Sequence, residues 1–163
     1  MKELQTAAAI LAAYFLLTSK SSLAGIFGPI KSKSRFLPVY SGGRVNPELV
    51  RAGKPRPGVY IIKVNGNIKY IGYSASNVYK TLTRHFQSWE DSRQTRVTYP
   101  RTSAVTARVI YTNTGGQAAA LERALILKHR PADNPNKYDN YTLNFKDEQT
   151  YEAYKVAEVE APF

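Results

Sequence analysis

No cysteine occurs in the 163 residues, which excludes a disulfide framework, a thiolate-held zinc ion and a cysteine nucleophile. Acidic residues are scarce. Twelve Asp and Glu stand against 23 Lys and Arg, giving a net charge of +11. The deficit is uneven: from Tyr138 onward six acids (Asp139, Asp147, Glu148, Glu152, Glu158, Glu160) outnumber two lysines, so that stretch carries −4 and residues 1–137 carry +15. Such a field on a small body favours a polyanionic partner, nucleic acid first, over a charge that merely keeps the chain soluble. Internal repeats and low-complexity tracts are also missing. The length provides for one compact domain with tails.

The chain is short of apolar sequence for a membrane span as well. Ala7 to Leu17 is unbroken and apolar, but crossing a bilayer core takes about 20 such residues. Leu23 to Ile30 extends it only past Gly25, Gly28 and Pro29, which weaken a continuing helix. The first expectation for residues 1–30 is an N-terminal anchor or membrane-associated helix, with contact through residues 7–30. A helix buried against a partner comes second, and a signal cleaved near Ser22-Leu23-Ala24 third. Lys20, Lys31, Lys33 and Arg35 follow the run, and by the positive-inside rule they hold the rest of the chain on the cytoplasmic face. Residues 31–57 carry seven basic residues against Glu48, with Pro38, Pro47, Pro55, Pro57 and Gly42-Gly43. That density of Pro and Gly reads as a linker or arm, either a grip on phosphates or a solvated tether.

From Gly58 the pattern tightens. Val59–Val64 and Ile68–Ile71 read as strands, and Asn65-Gly66 supplies a hairpin turn of two or three residues. Ser74, Ser76 and Asn77 are helix-capping types, after which Val78, Leu82 and Phe86 recur every four residues. Ala107–Tyr111 reads as a third strand. Ala118–Lys128 reads as a second helix, stopped by Pro131 and Pro135. The expected fold is α+β, a small, mostly antiparallel three-stranded sheet flanked by helices in the order β-β-α-β-α. The domain is expected over residues 58–137, followed by an acidic extension over 138–163 with a short strand at Tyr141–Phe145 and a helix at Lys146–Ala157.

Gly58-Val59-Tyr60, ten residues before Tyr70-Ile71-Gly72, resembles the paired motif of the GIY-YIG nucleases, with Val in place of Ile. Thr81-Leu82-Thr83-Arg84-His85-Phe86, Ala120-Leu121-Glu122 and Pro131-Ala132-Asp133-Asn134 follow in the family's order. The resemblance covers roughly residues 57–137. It implies a divalent-metal-dependent DNA endonuclease with Mg²⁺ or Mn²⁺ on Glu122, a hard cation that keeps most of its waters. It further implies that Tyr60 and Tyr70 line the site, one of them activating or positioning the attacking water. Gly72 supports them. His85 suits proton relay or phosphate contact, and Asn134 holds the C-terminal end of the site. Apart from the resemblance, Glu122 reads as a solvated helix residue, the tyrosines as ordinary strand residues, His85 as half-buried and Asn134 as a turn residue.

One position departs from the family. Its helix arginine falls on Thr81 when Leu82 and Arg84-His85-Phe86 are aligned, or on Lys80 when the loop Tyr73–Ser76 takes no insertion. Threonine cannot neutralise a transition-state phosphate, so the expected cation is Arg84, one turn along the same helical face, or Lys80 as a point charge. Tyr73, Tyr79, Trp89, Tyr99 and Tyr111 interleave with Lys80, Arg84, Arg93, Arg96, Arg101 and Arg108. That mixture reads as a nucleic-acid surface, with Arg93 and Arg96 as phosphate contacts, or as aromatics completing a small core. An active endonuclease is the leading reading. A catalytically lapsed nucleic-acid-binding relative and a membrane- or particle-associated structural protein stay open. The acidic tail either covers the basic face or binds a protein partner whose identity the sequence leaves unknown.

Overall fold

The central hairpin is built on a turn in which Asn65 (φ 50°) and Gly66 (φ 81°) both take the left-handed conformation. That geometry matches the twist of the flanking strands and is what an Asn-Gly pair adopts at least cost. A computed structural model of the chain describes residues 30, 32–49, 55–87 and 97–157. The apolar run at residues 7–17, together with Trp89, Arg93 and Arg96, lies outside them. Among the described residues no helix is long and apolar enough to cross a membrane.

The strands are β1 (Ser32–Lys33), β2 (Leu37–Pro38), β3 (Tyr40–Ser41), β4 (Arg44–Val45), β5 (Gly58–Val64), β6 (Asn67–Ser74) and β7 (Val105–Tyr111); the helices are α1 (Val78–Thr83), α2 (Gly115–His129) and α3 (Phe145–Val156). Strand β5 lies between β6 and β7, antiparallel to both, so among the described residues β6 forms one free edge of the sheet. The order β-β-α-β-α is therefore observed over β5, β6, α1, β7 and α2, and the fold is α+β.

Residues 32–49 differ from the expected linker or arm. Both β1 and β2 pair antiparallel with β7, β3 and β4 form a small hairpin around Gly42-Gly43, and Val39 and Leu49 are buried. Proline is compatible with this because β2 is a two-residue strand at the sheet's margin. The sheet thus has five strands among the described residues, the expected three (β7-β5-β6) being extended by β1 and β2 on the far side of β7.

Alternation along β5 divides the core. Tyr60 and Ile62 pack with Val78, Leu82 and Phe86 on one face, while Val59 and Ile61 pack with Leu121, Leu125 and Ile126 on the other. The period of two sends successive side chains to opposite faces. Helix α1 is short: Asn77 caps it by accepting from the Lys80 amide at 2.9 Å, and a 3₁₀ turn over Arg84–Phe86 follows. Thr114 caps α2, which ends at Arg130 in a left-handed conformation before Pro131.

Tyr141–Phe145 is not a strand. Asn144 instead opens α3 with a reciprocal cap, its side chain accepting from the Asp147 amide while Asp147 accepts from the Asn144 amide. Asp147 is fully buried and takes a salt bridge from Arg123 at 2.9 Å. Two further contacts hold α3 on the domain: the Lys33 Nζ donates to the Tyr154 carbonyl at 2.9 Å, and Tyr151 and Tyr154 pack against the α2 core. The helical part of the acidic extension thus packs on α2 and the core beside it.

Candidate active site

Strand register sets the site. Tyr60 lies opposite Gly72, and Ile62 opposite Tyr70, so Tyr60, Gly72 and Tyr70 share one face of the hairpin beside its free edge. The Tyr60 and Tyr70 rings stack with centroids 6.1 Å apart and planes 23° from parallel. A side chain at position 72 would fall on the Tyr60 hydroxyl and within 2.8 Å of Tyr70. Glycine there is a requirement of space.

The 3₁₀ turn after α1 brings His85 onto this pair. Its ring centroid lies 4.5 Å from that of Tyr70, and its Nε2 is 2.8 Å from the Tyr60 hydroxyl. The other ring nitrogen, Nδ1, is 2.7 Å from the Val97 carbonyl. A carbonyl only accepts, so Nδ1 carries a proton. In the neutral ring Nε2 is then the acceptor, and Tyr60 donates to it. His85 is 1% exposed; it is a buried, oriented residue rather than a half-buried one.

Across the pocket, α2 presents Glu122. This carboxylate is fully buried, with the Lys137 ammonium 2.6 Å from Oε1 and the Tyr138 hydroxyl donating to Oε2 at 2.8 Å. Burial first, then that hydrogen bond, pushes the Tyr138 phenol well above its ordinary range, so it stays protonated and donating. The same logic holds for Tyr99, whose hydroxyl donates to Asp133 at 2.7 Å. Tyr99 and Tyr111 are both core residues. Tyr73, by contrast, is exposed and lines the pocket.

The pocket wall comprises Tyr60, Tyr70, Gly72, Tyr73, Thr81, His85, Glu122 and Lys137. Seven of the residues singled out from the sequence therefore meet in one place, drawn from β5, β6, α1 with its following turn, and α2. Lys80 and Arg84 do not line it. Lys80 is exposed, and Arg84 opens the 3₁₀ turn. Thr81 is in the wall, as the alignment placed it, and the cation that accompanies it there is Lys137. Sequence reasoning passed over Lys137, whose neighbours Asn136 (φ 58°) and Tyr138 (φ 68°) both take left-handed backbone. An Asn before the lysine is the single local hint, since Asn tolerates that conformation better than other non-glycine residues.

Asn134 acts from behind the wall. Its Oδ1 accepts from the Ile71 amide at 2.8 Å and its Nδ2 donates to the Ile71 carbonyl at 3.0 Å. It fixes the free edge of β6 between Tyr70 and Gly72. Asn134→Ala leaves both backbone groups without that partner and is expected to cost about 1–3 kcal/mol, read as a lowered urea midpoint with unchanged slope.

Glu122 is the candidate metal ligand. Among the described residues no three His, Cys, Asp or Glu side chains gather as a metal-binding group, so a cage of protein ligands is not what this pocket offers. A single carboxylate beside an open polar pocket does fit Mg²⁺ or Mn²⁺, which keep several waters and commonly take one or two carboxylates plus phosphate oxygens. That an ammonium already rests against Oε1 shows the oxygen faces a place for positive charge.

Residues 56–134 match the family model described as the UvrC-like GIY-YIG domain. The chain is 32% identical over 96 residues to the UvrABC system protein C of Methylococcus capsulatus, covering 58% of this chain and 14% of that protein. It is 36% identical over 97 residues to the protein of the same name from Geobacter metallireducens, with coverage of 58% and 14%. Against that of Bradyrhizobium diazoefficiens it is 31% identical over 109 residues, covering 66% and 16%. The similarity thus spans a small fraction of each relative's length.

Proposed function

We propose that this chain, whose residues 56–134 are a UvrC-like GIY-YIG domain, is a divalent-metal-dependent endonuclease that hydrolyses phosphodiester bonds in DNA. The observation that carries the reading is the hydrogen-bonded chain that leads away from the pocket, Tyr60 hydroxyl to His85 Nε2 and His85 Nδ1 to the Val97 carbonyl. Water attack on a phosphodiester needs a group to take the water's proton. As the attacking water gives its proton to the Tyr60 oxygen, Tyr60 passes its own hydroxyl proton to His85 Nε2. The resulting imidazolium keeps its Nδ1 proton on Val97. Tyr70 and Gly72 hold the Tyr60 ring in place, and burial of His85 and Tyr60 keeps bulk water from short-circuiting the relay.

Nucleases of this family use divalent metals, and Mg²⁺ or Mn²⁺ held by Glu122 would stabilise the negative charge that develops on the phosphate. The strongly basic composition favours a polyanion. The reading is tested with supercoiled plasmid and the full chain in Mn²⁺. Nicking that EDTA abolishes is expected, and Tyr60→Phe is expected to slow it about 10²–10⁴-fold, with a stability loss of about 1–3 kcal/mol because buried His85 Nε2 loses its donor. Tight, salt-sensitive DNA binding without cleavage in either metal would instead identify a lapsed relative. The absence of an arginine at Thr81 is the observation that favours that second reading.

A further inference from the structure

Lys137 is the cation in the pocket wall, and it rests on the carboxylate proposed to take the metal. Its ammonium lies 2.6 Å from Glu122 Oε1, within the region a metal on that oxygen would occupy or repel. Two positive charges cannot share one buried carboxylate oxygen at such range without strong repulsion. The two partners differ in freedom. The Glu122 side chain is fully buried, whereas that of Lys137 is 40% exposed, so the lysine is the member able to leave on its flexible stem.

The turn that carries Lys137 supports the same conclusion. Left-handed backbone at Asn136 and Tyr138 is disfavoured for non-glycine residues, above all for tyrosine, and persists where surrounding contacts over-determine it. Here those contacts include both oxygens of Glu122, one held by Lys137 and the other by Tyr138. Relaxation of this turn would offset part of the cost of breaking the lysine contact.

Resting on the nuclease reading only for the identity of the metal, we infer that Lys137 is a displaceable counter-ion. It neutralises Glu122 while no divalent cation is bound, and it competes with that cation for the carboxylate. A structural salt bridge would behave oppositely, since removing it would loosen the turn and weaken metal binding.

The decisive measurement is Mn²⁺ affinity of the full chain without DNA, read from the free-Mn²⁺ electron paramagnetic resonance signal. Lys137→Met is expected to bind Mn²⁺ at least about tenfold more tightly than the parent, within the range over which neighbouring groups tune metal sites. Adding Glu122→Gln to it is expected to remove the gain. Unchanged or weaker binding by Lys137→Met overturns the inference. Should that variant fail to fold, the parent answers the question: Mg²⁺ is expected to raise acetylation of Lys137 by acetic anhydride several-fold over EDTA, and an unchanged or lowered rate overturns the inference. Neither readout requires strand cleavage. A parent that exchanges Lys137 for Mn²⁺ but nicks no plasmid would sink the nuclease reading and leave the exchange standing.

Discussion

Glu122→Ala is expected to reduce plasmid nicking by at least about a thousandfold, the scale on which one group that stabilises transition-state charge acts. The size follows from the lack of a substitute. Among the described residues Glu122 is the sole carboxylate in the pocket wall, and no cluster of potential ligands stands nearby to take its place. Stability should respond far less. Lys137 loses its partner but is partly exposed already, so its ammonium can return to water, and the Tyr138 hydroxyl sits at the same margin. Glu122→Gln separates the two effects more sharply, since it keeps the volume and one acceptor. The check is a nicking time course beside a urea titration: near-parental midpoints with abolished cleavage are expected, and retained cleavage would remove Glu122 from the mechanism.

The second large effect belongs to a residue without a side chain. Gly72→Ala is expected to lower cleavage by at least about a hundredfold and stability by about 1–3 kcal/mol, the cost of forcing a methyl into a packed site. The new methyl would overlap the Tyr60 hydroxyl and crowd Tyr70 at 2.8 Å. Both rings are confined, because Tyr60 is 2% exposed and Tyr70 stacks against it while touching His85. The strain must therefore be relieved by moving the hydroxyl off His85 Nε2 or by distorting β6. A hydroxyl misplaced by about 1 Å is enough to cost a hundredfold in a positioned proton transfer. Thermal melts and nicking rates measure the two consequences together. A fully active, fully stable alanine variant would refute the steric account.

Much of this was legible in the sequence because it depends on short-range rules. Asn65-Gly66 demands left-handed backbone and closes a two-residue hairpin, although that turn alone would set Tyr60 opposite Ile71, and it is a register shift between Ile62 and Lys63 that brings Gly72 there. Period-two alternation then assigns Tyr60 and Ile62 to one face. Spacing along α2 placed Glu122 on a helix, but a local pattern carries no record of what a long-range turn sets against it, so Lys137 went unseen. Arg84 was expected to reach back one turn along a continuing helix. The helix tightens into a 3₁₀ turn instead, and Arg84 is not among the residues that line the pocket. Pro and Gly between residues 31 and 57 suggested coil because their effect on a strand depends on whether the strand is central or marginal. That distinction is visible only once β7 is there to be paired.

The amide of Asn134 has a consequence beyond stability. An unpaired strand at the end of a sheet is a template on which a strand from another chain can extend the ladder. At Ile71 both outward-facing backbone groups are already occupied by Asn134, and the Lys69 carbonyl accepts from the Asp133 amide at 2.9 Å. A foreign strand could add beside the tyrosines only by displacing this clasp. The edge of the hairpin beside the tyrosines is thereby protected from strand addition by a second chain.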